Sequence, residues 1–277
     1  MLSIRMGLSA ALIFLFTNPV FPQQPAQQTS IVLRDPQAIK ILQQTIAALG
    51  GATALSSVTA ASTHASIVPV PDSQLPSGTV VWEDDFTGPS YEFRDTFQSD
   101  GFTRTLVSGH GSPGQIDKDG DPHKLQSHVA YAAVPYQLPA IVLNRDLSDS
   151  NRTVTFIGTT ALAGKSVLHI RTSIDVGIVE KLLSPHDWYI DASTFLPIRV
   201  EYDVPNTINL SDIYLSAVDY SDYRPINGIL FPFTQNVSER GNPVCVVQVS
   251  AIDLNPPTSS TDFDLPAIAV QPTGGAQ

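Results

Sequence analysis

The most regular hydrophobic pattern in the chain is a helical one near its start. Within residues 35–51 the apolar side chains recur at intervals of three and four positions, at Ile39, Leu42, Ile46 and Leu49. This spacing is typical of one face of an amphipathic helix. Asp35 and Pro36 precede the stripe and favour a helix start, while Gly50 and Gly51 follow it and favour a left-handed helix end. The pattern predicts a helix over these residues.

From residue 58 onward the pattern changes to short strands that are separated by turn-forming residues. Three strands are predicted first, at 79–84, 90–97 and 102–107. Their connections are too short to hold a crossover helix, so these strands should pair antiparallel. The second half of the chain predicts seven more strands, at 153–157, 166–172, 187–190, 198–202, 213–223, 229–239 and 244–253. Asn227-Gly228 is the clearest hairpin turn among them.

Two short helices are predicted between these two groups of strands. Residues 109–122 have the composition of a loop, and Asp121-Pro122 at its end resembles a helix start. Apolar residues then follow at helical spacing, at Leu125, Val129, Ala132 and Ala133. Pro135 and Pro139 interrupt this pattern, which predicts a second helix that carries Ile141, Val142, Leu143 and Leu147.

These elements predict an α+β fold that is mainly antiparallel β, a curved incomplete barrel of about ten strands covered by a few short helices. Such a sheet must cover one apolar face, and little helix is available for that purpose. Short helices cannot fill a strongly curved concave face to the packing density of a protein interior. We therefore expect a cavity between the sheet and the helices.

The first residues indicate an export signal rather than a part of the fold. Arg5 precedes a run of nine apolar and small residues at 8–16, which is shorter than the ~20 residues that a membrane-spanning helix needs. The alternative is an uncleaved membrane anchor. We expect a signal peptide at 1–22, a mobile leader at 23–34, a single β-rich domain at 35–266 and a disordered tail at 267–277.

Composition and charge exclude several classes of protein. The 277 residues are 42% hydrophobic and 15% charged, which is typical of a globular chain rather than a disordered one. The formal net charge of −11 argues against a nucleic-acid surface, because phosphate binding needs clustered Lys and Arg. The single cysteine, Cys245, excludes a disulfide scaffold, and its valine neighbours indicate a buried apolar position.

The catalytic motifs in the sequence are incomplete. Residues 110–114 match a G-x-S-x-G nucleophile elbow except for the first glycine, and no strand and helix of a parallel sheet flank them. Ser112 and His110 are therefore expected to belong to an ordinary turn. Glu83, Asp84 and Asp85 are adjacent on a predicted strand, where neighbours alternate faces instead of meeting across a cleft. We interpret them as a charged strand end and expect no catalytic residue.

One acidic motif partly matches a calcium loop. Asp117, Asp119 and Asp121 occupy the first, third and fifth positions of an EF-hand loop. The sixth position is Pro122 where glycine is needed, and the twelfth is His128 where a bidentate glutamate is needed. The motif therefore predicts a solvated loop, calcium binding by these aspartates stays open, and neither a metal site nor a cofactor is expected.

The histidines do not form a metal-binding pattern either. His123 and His128 are five residues apart, which places them on different faces of a helix, and we expect both to be exposed. His186 and Asp187 precede a predicted strand and indicate a polar turn.

Four segments together resemble the periplasmic LolA-like superfamily. They are the helix that ends in Gly-Gly and the segments DWYIDASTFLPIRVEY, YSDYRPINGILFPF and DLNPPTSSTDFDLP. The positions that carry the resemblance are Trp188, Asp191, Pro197, Tyr223, Asn227, Gly228, Pro232, Asn255 and Phe263. The resemblance covers residues 35–266 and implies an incomplete antiparallel barrel with helices as a lid. The founding carrier of that superfamily moves acylated lipoproteins across the periplasm, and this chain is more similar to its other exported relatives than to the carrier itself.

The resulting expectation is an exported, periplasmic or secreted, non-enzymatic protein that binds a lipid, an acyl chain, an acylated protein or another apolar ligand, and no nucleic acid. The residues predicted to line the cavity are Trp82, Phe93, Phe102, Tyr136, Leu138, Ile141, Val142 and Trp188. Each of them would also suit an ordinary apolar core. Two alternatives stay open: an envelope protein–protein interaction module, and an exported hydrolase whose catalytic residues lack a recognisable motif.

Overall fold

A computed structural model of the protein describes residues 32–88, 90–132, 134–175, 177–205, 211–259 and 261–267. The predicted signal peptide at 1–22 lies outside these residues, as do most of the predicted leader and all of the predicted tail except Ala267.

The described residues form five helices and thirteen strands. The helices are α1 (Pro36–Leu49), α2 (Ala52–Ser56), α3 (His128–Ala132), α4 (Pro139–Ser148) and α5 (Ile178–Leu183). The strands are β1 (Ala60–Pro69), β2 (Gly78–Asp85), β3 (Glu92–Ser99), β4 (Phe102–Gly109), β5 (Ser112–Ile116), β6 (Pro122–Lys124), β7 (Arg152–Leu162), β8 (Lys165–Ile174), β9 (His186–Asp191), β10 (Pro197–Pro205), β11 (Ile213–Ile226), β12 (Ile229–Glu239) and β13 (Asn242–Leu254). In the described part of the chain, no helix is both long enough and apolar enough to cross a lipid bilayer.

All thirteen strands belong to one sheet, in the order β6-β5-β4-β3-β2-β1-β13-β12-β11-β10-β9-β8-β7. Consecutive strands pair antiparallel within β1–β6 and within β7–β13, and β1 pairs antiparallel with β13 to join these two halves. Among the described residues no ladder joins β6 to β7, so the sheet stays open. The predicted α+β fold, a curved incomplete barrel covered by short helices, is confirmed, with thirteen strands instead of about ten.

Helix α1 forms where the apolar stripe predicted it. Asp35 is the N-cap, and its Oδ1 accepts hydrogen bonds from the backbone N–H groups of Gln37 (2.7 Å) and Ala38 (3.4 Å). The buried face of the helix consists of Ala38, Ile41, Leu42, Thr45, Ile46 and Leu49, whereas Ile39 is only partly buried. This face contacts α4, β7 and β12, so α1 covers part of the apolar face of the sheet.

The core is one continuous cluster between the helices and that face of the sheet. Its largest fully buried side chains include Trp188, Phe231, Leu42, Leu138 and Leu143. Cys245 is buried among apolar residues, as its valine neighbours predicted, and burial raises the pKa of its thiol to about 11. The thiol is therefore neutral at physiological pH.

The sequence interpretation was wrong in the middle of the chain. The predicted loop at 109–122 contains β5 and leads into β6, and Asp121-Pro122 begins that strand rather than a helix. Positive φ angles at His110 and Gly111 form the tight turn before β5, so glycine marked a hairpin here. The helices α2 and α5 were not predicted, since five or six residues are too few to show a helical period.

A close backbone contact at the end of α1 gives the first prediction. Gly50 has a φ of +130°, and a Cβ there would lie 2.7 Å from the carbonyl oxygen of Gly228. Gly51 has a φ of +90°, but a Cβ there would have no heavy atom within 4 Å. Both Gly→Ala changes should cost about 1 kcal/mol for the backbone conformation. Gly50→Ala should cost a further ~1–3 kcal/mol because the turn must move away.

Urea unfolding of the two variants measures this difference directly, since a change in midpoint at constant m-value reports stability. Gly51→Ala is the matched control for backbone strain. Equal losses in the two variants would contradict the proposed contact between α1 and the β11–β12 turn.

Candidate functional site

A cavity of about 200 Å³ lies between the sheet and the residues that precede α4. Residues 134–138, which we call the linker, form one wall of this space, which we call the sheet cavity. The opposite wall is the sheet, with the apolar side chains Trp82, Phe93, Tyr202, Val218, Val237 and Val247. Asp84, Asp95 and Gln235 are the polar side chains on the sheet side. The cavity is thus mainly apolar with a few polar groups, which is typical of small-molecule sites.

The linker is held over the sheet by three hydrogen bonds. Tyr220 Oη donates to the carbonyl oxygen of Tyr136 (2.8 Å), and Gln235 Nε2 donates to the carbonyl oxygen of Gln137 (3.2 Å). The Gln137 side chain in turn donates to Asp84 Oδ2 (2.9 Å). These bonds join the linker to the neighbouring strands β11 and β12 and to the more distant β2, which together fix its position.

Tyr136 of the linker contacts aromatic residues of two different regions beneath the helices. Its ring stacks on Tyr202 with a centroid distance of 3.6 Å, and its edge faces His186 at 5.4 Å. The Tyr136 side chain is buried, and it lines the sheet cavity on the Tyr202 side. On the other side lie the polar residues around His186.

The two carboxyl groups of the sheet cavity favour their protonated forms. Burial raises the pKa of Asp95 to about 7, an effect that the Arg104 guanidinium partly offsets. Burial, followed by the neighbouring Asp95, raises the pKa of Asp84 well above its usual value, although the Gln137 hydrogen bond opposes this shift. The cavity therefore carries less negative charge than two ordinary aspartates would bring.

The pKa values of Asp84 and Asp95 are not moved apart. Sites of general acid–base catalysis place two titratable groups in environments that move their pKa values apart, so that one donates and the other accepts a proton. Here the pKa values of Asp84 and Asp95 are both raised, and for the same main reason, burial. The shifts therefore assign neither residue a distinct role in proton transfer.

A second polar group lies under α4. Asp146 is fully buried, its Oδ1 lies 2.9 Å from Arg152 Nε, and its Oδ2 accepts a hydrogen bond from Thr172 Oγ1 (2.6 Å). Burial alone would raise the pKa of Asp146, but the charge of Arg152 and the other neighbouring donors outweigh it and lower that pKa. Asp146 and Arg152 therefore form a buried ion pair, which is strongly destabilising to break from one side.

His186 belongs to the same group. It is fully buried, and burial lowers the pKa of its imidazole despite the nearby Asp146 carboxylate, so the ring is neutral at physiological pH. Its Nδ1 lies 3.8 Å from Asp146 Oδ2, which is too far for a hydrogen bond. The polar turn predicted at His186 is wrong, because this residue begins β9 and faces the interior.

Three solved structures share this arrangement of strands and helices. A DUF1329 family protein from Desulfovibrio piger superposes with a TM-score of 0.55 at 13% identity, over 83% of this chain and 98% of that one. A LolA superfamily protein from Nitrosomonas europaea superposes with a TM-score of 0.52 at 11% identity, over 82% of this chain and 97% of that one. The fold is LolA-like. A putative outer membrane lipoprotein-sorting protein domain from Vibrio parahaemolyticus has the same fold, with a TM-score of 0.54 at 10% identity over 82% and 96%.

At identities this low, the likeness establishes the fold alone. No family model matches the chain, and no curated protein matches its sequence. The resemblance noted in the sequence segments is thereby confirmed at the level of the fold.

The residues predicted to line a cavity divide into three groups in this LolA-like fold. Trp82, Phe93 and Tyr136 line the sheet cavity. Phe102 instead lines a separate groove with Ile67, Leu75, Pro76, Phe97 and Arg104. The other four lie in the packed core, namely Leu138, Ile141, Val142 and Trp188. Their contact with a ligand stays a prediction.

The partial motifs occupy surface hairpins. His110 Nδ1 lies 2.9 Å from Glu92 Oε1, and Ser112 pairs with Gly109 in the β4–β5 hairpin rather than at a strand-to-helix elbow. In the turn between β5 and β6, Asp117 Oδ1 accepts hydrogen bonds from the N–H groups of Asp119 and Asp121. Within the described residues, no three His, Cys, Asp or Glu side chains are placed to hold a metal ion.

Sequence reasoning missed the buried polar residues of both groups. Asp84 was interpreted as part of a charged strand end, yet only 3% of it is exposed. Its signal was the alternation along β2, since Asp84 shares a face with Val80 and Trp82. Asp146 gave a similar signal, because it follows the apolar Leu143 by three positions on α4. His128, which was expected to be exposed, is also buried.

The raised pKa of Asp95 gives a prediction for stability. The carboxyl is protonated in the folded protein up to a pH of about 7 but only up to about 3.8 in the unfolded chain. Its stabilising contribution is therefore complete at low pH and is lost as the pH rises from about 4 through 7. Asp95→Asn should be more stable than the unchanged protein at pH 8, on the order of 1–2 kcal/mol, since one pKa unit corresponds to about 1.4 kcal/mol and cavity solvent screens part of it.

Unfolding free energies measured from pH 4 to pH 8 should show the stability difference growing with pH and then levelling off. Asp100→Asn, in the exposed turn of the same hairpin, controls for loss of a surface carboxylate. A stability difference that does not change with pH would contradict a protonated, buried Asp95.

Proposed function

We propose that this protein is an exported, non-enzymatic binding protein that holds an acyl chain or a similar apolar ligand in the sheet cavity. The observation that carries this proposal is the cavity itself, a half-open space beside the packed core, lined by Trp82, Phe93 and valine side chains. Protein interiors normally exclude such voids because they forfeit packing contacts. A hydrocarbon chain would restore those contacts.

The LolA-like fold supports this proposal. One structure with this fold is described as an outer membrane lipoprotein-sorting protein domain. Acyl chains are the apolar part of a lipoprotein, and in this protein the sheet cavity offers apolar surface for such a chain.

The size of the cavity limits the ligand. Typical small-molecule pockets enclose roughly 300–1,000 Å³, whereas the sheet cavity encloses about 200 Å³. Part of one hydrocarbon chain fits without rearrangement. A larger lipid requires the linker to move away from the sheet and release its hydrogen bonds to Tyr220 and Gln235.

Narrowing the cavity should weaken binding. Val247 faces the cavity from β13, and its neighbour Val246 points to the other face of the same strand. Val247→Phe should displace at least two methylene groups of ligand, which at about 0.8 kcal/mol each corresponds to roughly a tenfold loss of affinity. Val246→Phe is the matched control and should bind as the unchanged protein does. Titration with a dansyl-labelled fatty acid measures both.

Equal affinity in the two valine variants would place the ligand elsewhere. No binding of the labelled fatty acid by the unchanged protein, together with no lipid in organic extracts of protein purified from its own host, would contradict the proposed function. That outcome would favour the alternative of an envelope interaction module.

Export is the second part of the proposal, and it rests on residues 1–22, which lie outside the described part of the chain. Mass spectrometry of the protein recovered from its own host should find a mature N-terminus near residue 23. Recovery with Met1 in place, in a membrane fraction, would instead indicate the uncleaved anchor.

A further inference from the structure

A second cavity, of about 130 Å³, lies beside the sheet cavity. Val134 of the linker lines both spaces. The Tyr136 ring stacks on Tyr202, which lines the sheet cavity, and makes a T-shaped contact with His186, which lines the second cavity. The side chains that bring hydrogen-bond donors to this second space are Tyr91, Arg145, Arg152, Ser184 and His186, and we call it the polar cavity.

Arg152 is the most informative residue of the polar cavity. Only 7% of it is exposed, and its Nε lies 2.9 Å from Asp146 Oδ1. Its Nη1 is buried and finds no hydrogen-bond acceptor among the described residues. A buried guanidinium N–H without an acceptor is costly, so a group that supplies an acceptor oxygen there is stabilised.

Two further donors of the polar cavity are in the same situation. Tyr91 Oη and both ring nitrogens of His186 are buried and have no hydrogen-bond partner among the described residues. Burial raises the pKa of the Tyr91 hydroxyl, so it keeps its proton. Arg152, Tyr91 and His186 thus each offer one unmatched donor to this half-open space, and the second nitrogen of the neutral His186 ring is an acceptor.

The remaining charges around the polar cavity are one positive side chain, Arg145, and two negative ones, Asp149 and Glu180, so an anion would be recognised there through the unmatched donors and not through net charge. The Arg145 guanidinium lies 4.3 Å from the centre of the Tyr91 ring and donates to the carbonyl oxygen of Gly88. Asp149 and Glu180 bring negative charge to the same lining, and Asp149 Oδ1 accepts the N–H of Asn151. The preference for an anion should therefore be moderate rather than extreme.

We infer that the polar cavity receives the anionic oxygen group, a carboxylate or a phosphate, of a single-chain amphiphile whose tail lies in the sheet cavity. This inference rests on the proposed function for the tail and adds the chemistry of the head group. The acceptor oxygens would meet Arg152 Nη1 and Tyr91 Oη, and the chain would pass from one cavity to the other beside Val134, which lines both.

Competition between matched ligands tests the head group. Palmitate, hexadecyl phosphate and the neutral methyl palmitate are titrated against the unchanged protein, with inorganic phosphate as a fourth arm that lacks a tail. One or both of the acids should bind about tenfold more tightly than the ester, the value expected for one hydrogen bond to a charged group. Inorganic phosphate alone should not displace the labelled fatty acid at comparable concentrations.

A conservative variant then locates the effect. Tyr91→Phe keeps the ring beneath Arg145 and removes only the hydroxyl, so it should reduce acid binding several-fold and leave ester binding unchanged. Tyr189→Phe removes a hydroxyl that donates to Glu201 on β10, and it is the matched control. Equal losses of acid and ester in Tyr91→Phe would overturn the assignment of the head group to this cavity.

The outcomes separate this inference from the proposed function. Equal affinity for acid and ester overturns the anion site but leaves the apolar cavity as the binding site. Failure of all three long-chain ligands to bind contradicts the proposed function as well. Displacement of the labelled fatty acid by inorganic phosphate alone would show that the cavity binds free anions, and it would overturn the inference that the ligand is an amphiphile.

Discussion

This structure depends on one constraint, namely that few helical residues are available to cover the apolar face of a large, curved antiparallel sheet. Helices α1 and α4 contact β7 and β12 and bury their apolar stripes there. The part of the face near β2, β3 and β13 is closed by the linker instead of by a helix. A five-residue segment cannot fill that space, so the cavity follows from the ratio of sheet to helix rather than from any special residue.

Polar residues on the apolar face give this space its character. Hydrogen bonds from Tyr220 and Gln235 satisfy linker carbonyls that would otherwise be buried without partners. Asp84 meets the Gln137 amide, and Asp146 meets Arg152. The polar groups therefore position the linker and α4 over the sheet, while the apolar ones provide the room beneath them.

The sequence predicted those helices and strands that are determined by residues close together in the chain. The stripe and the caps of α1, the hairpins of β2–β4 and the long strands β11–β13 follow from spacing and turn residues within a few positions. The contacts within the buried polar group could not be predicted from neighbouring residues, because Asp146, Arg152 and His186 come from α4, β7 and β9. Their meeting depends on strand order, which no single segment encodes. Strand alternation does place Asp84 on the face of Trp82 and Asp95 on the face of Phe93, because residues two positions apart share a face.

The pairing of the first strand with the last has a consequence for how the molecule is made. The Asn255 side chain accepts the N–H of Thr59, 196 residues away, and β13 completes the middle of the sheet beside β1. Neither half of the sheet has its central neighbour until the C-terminal strand has been synthesised. Contacts of such long sequence separation form slowly. The two halves of the sheet therefore join only after the last strand is available, which makes the β1–β13 pairing a late step of folding.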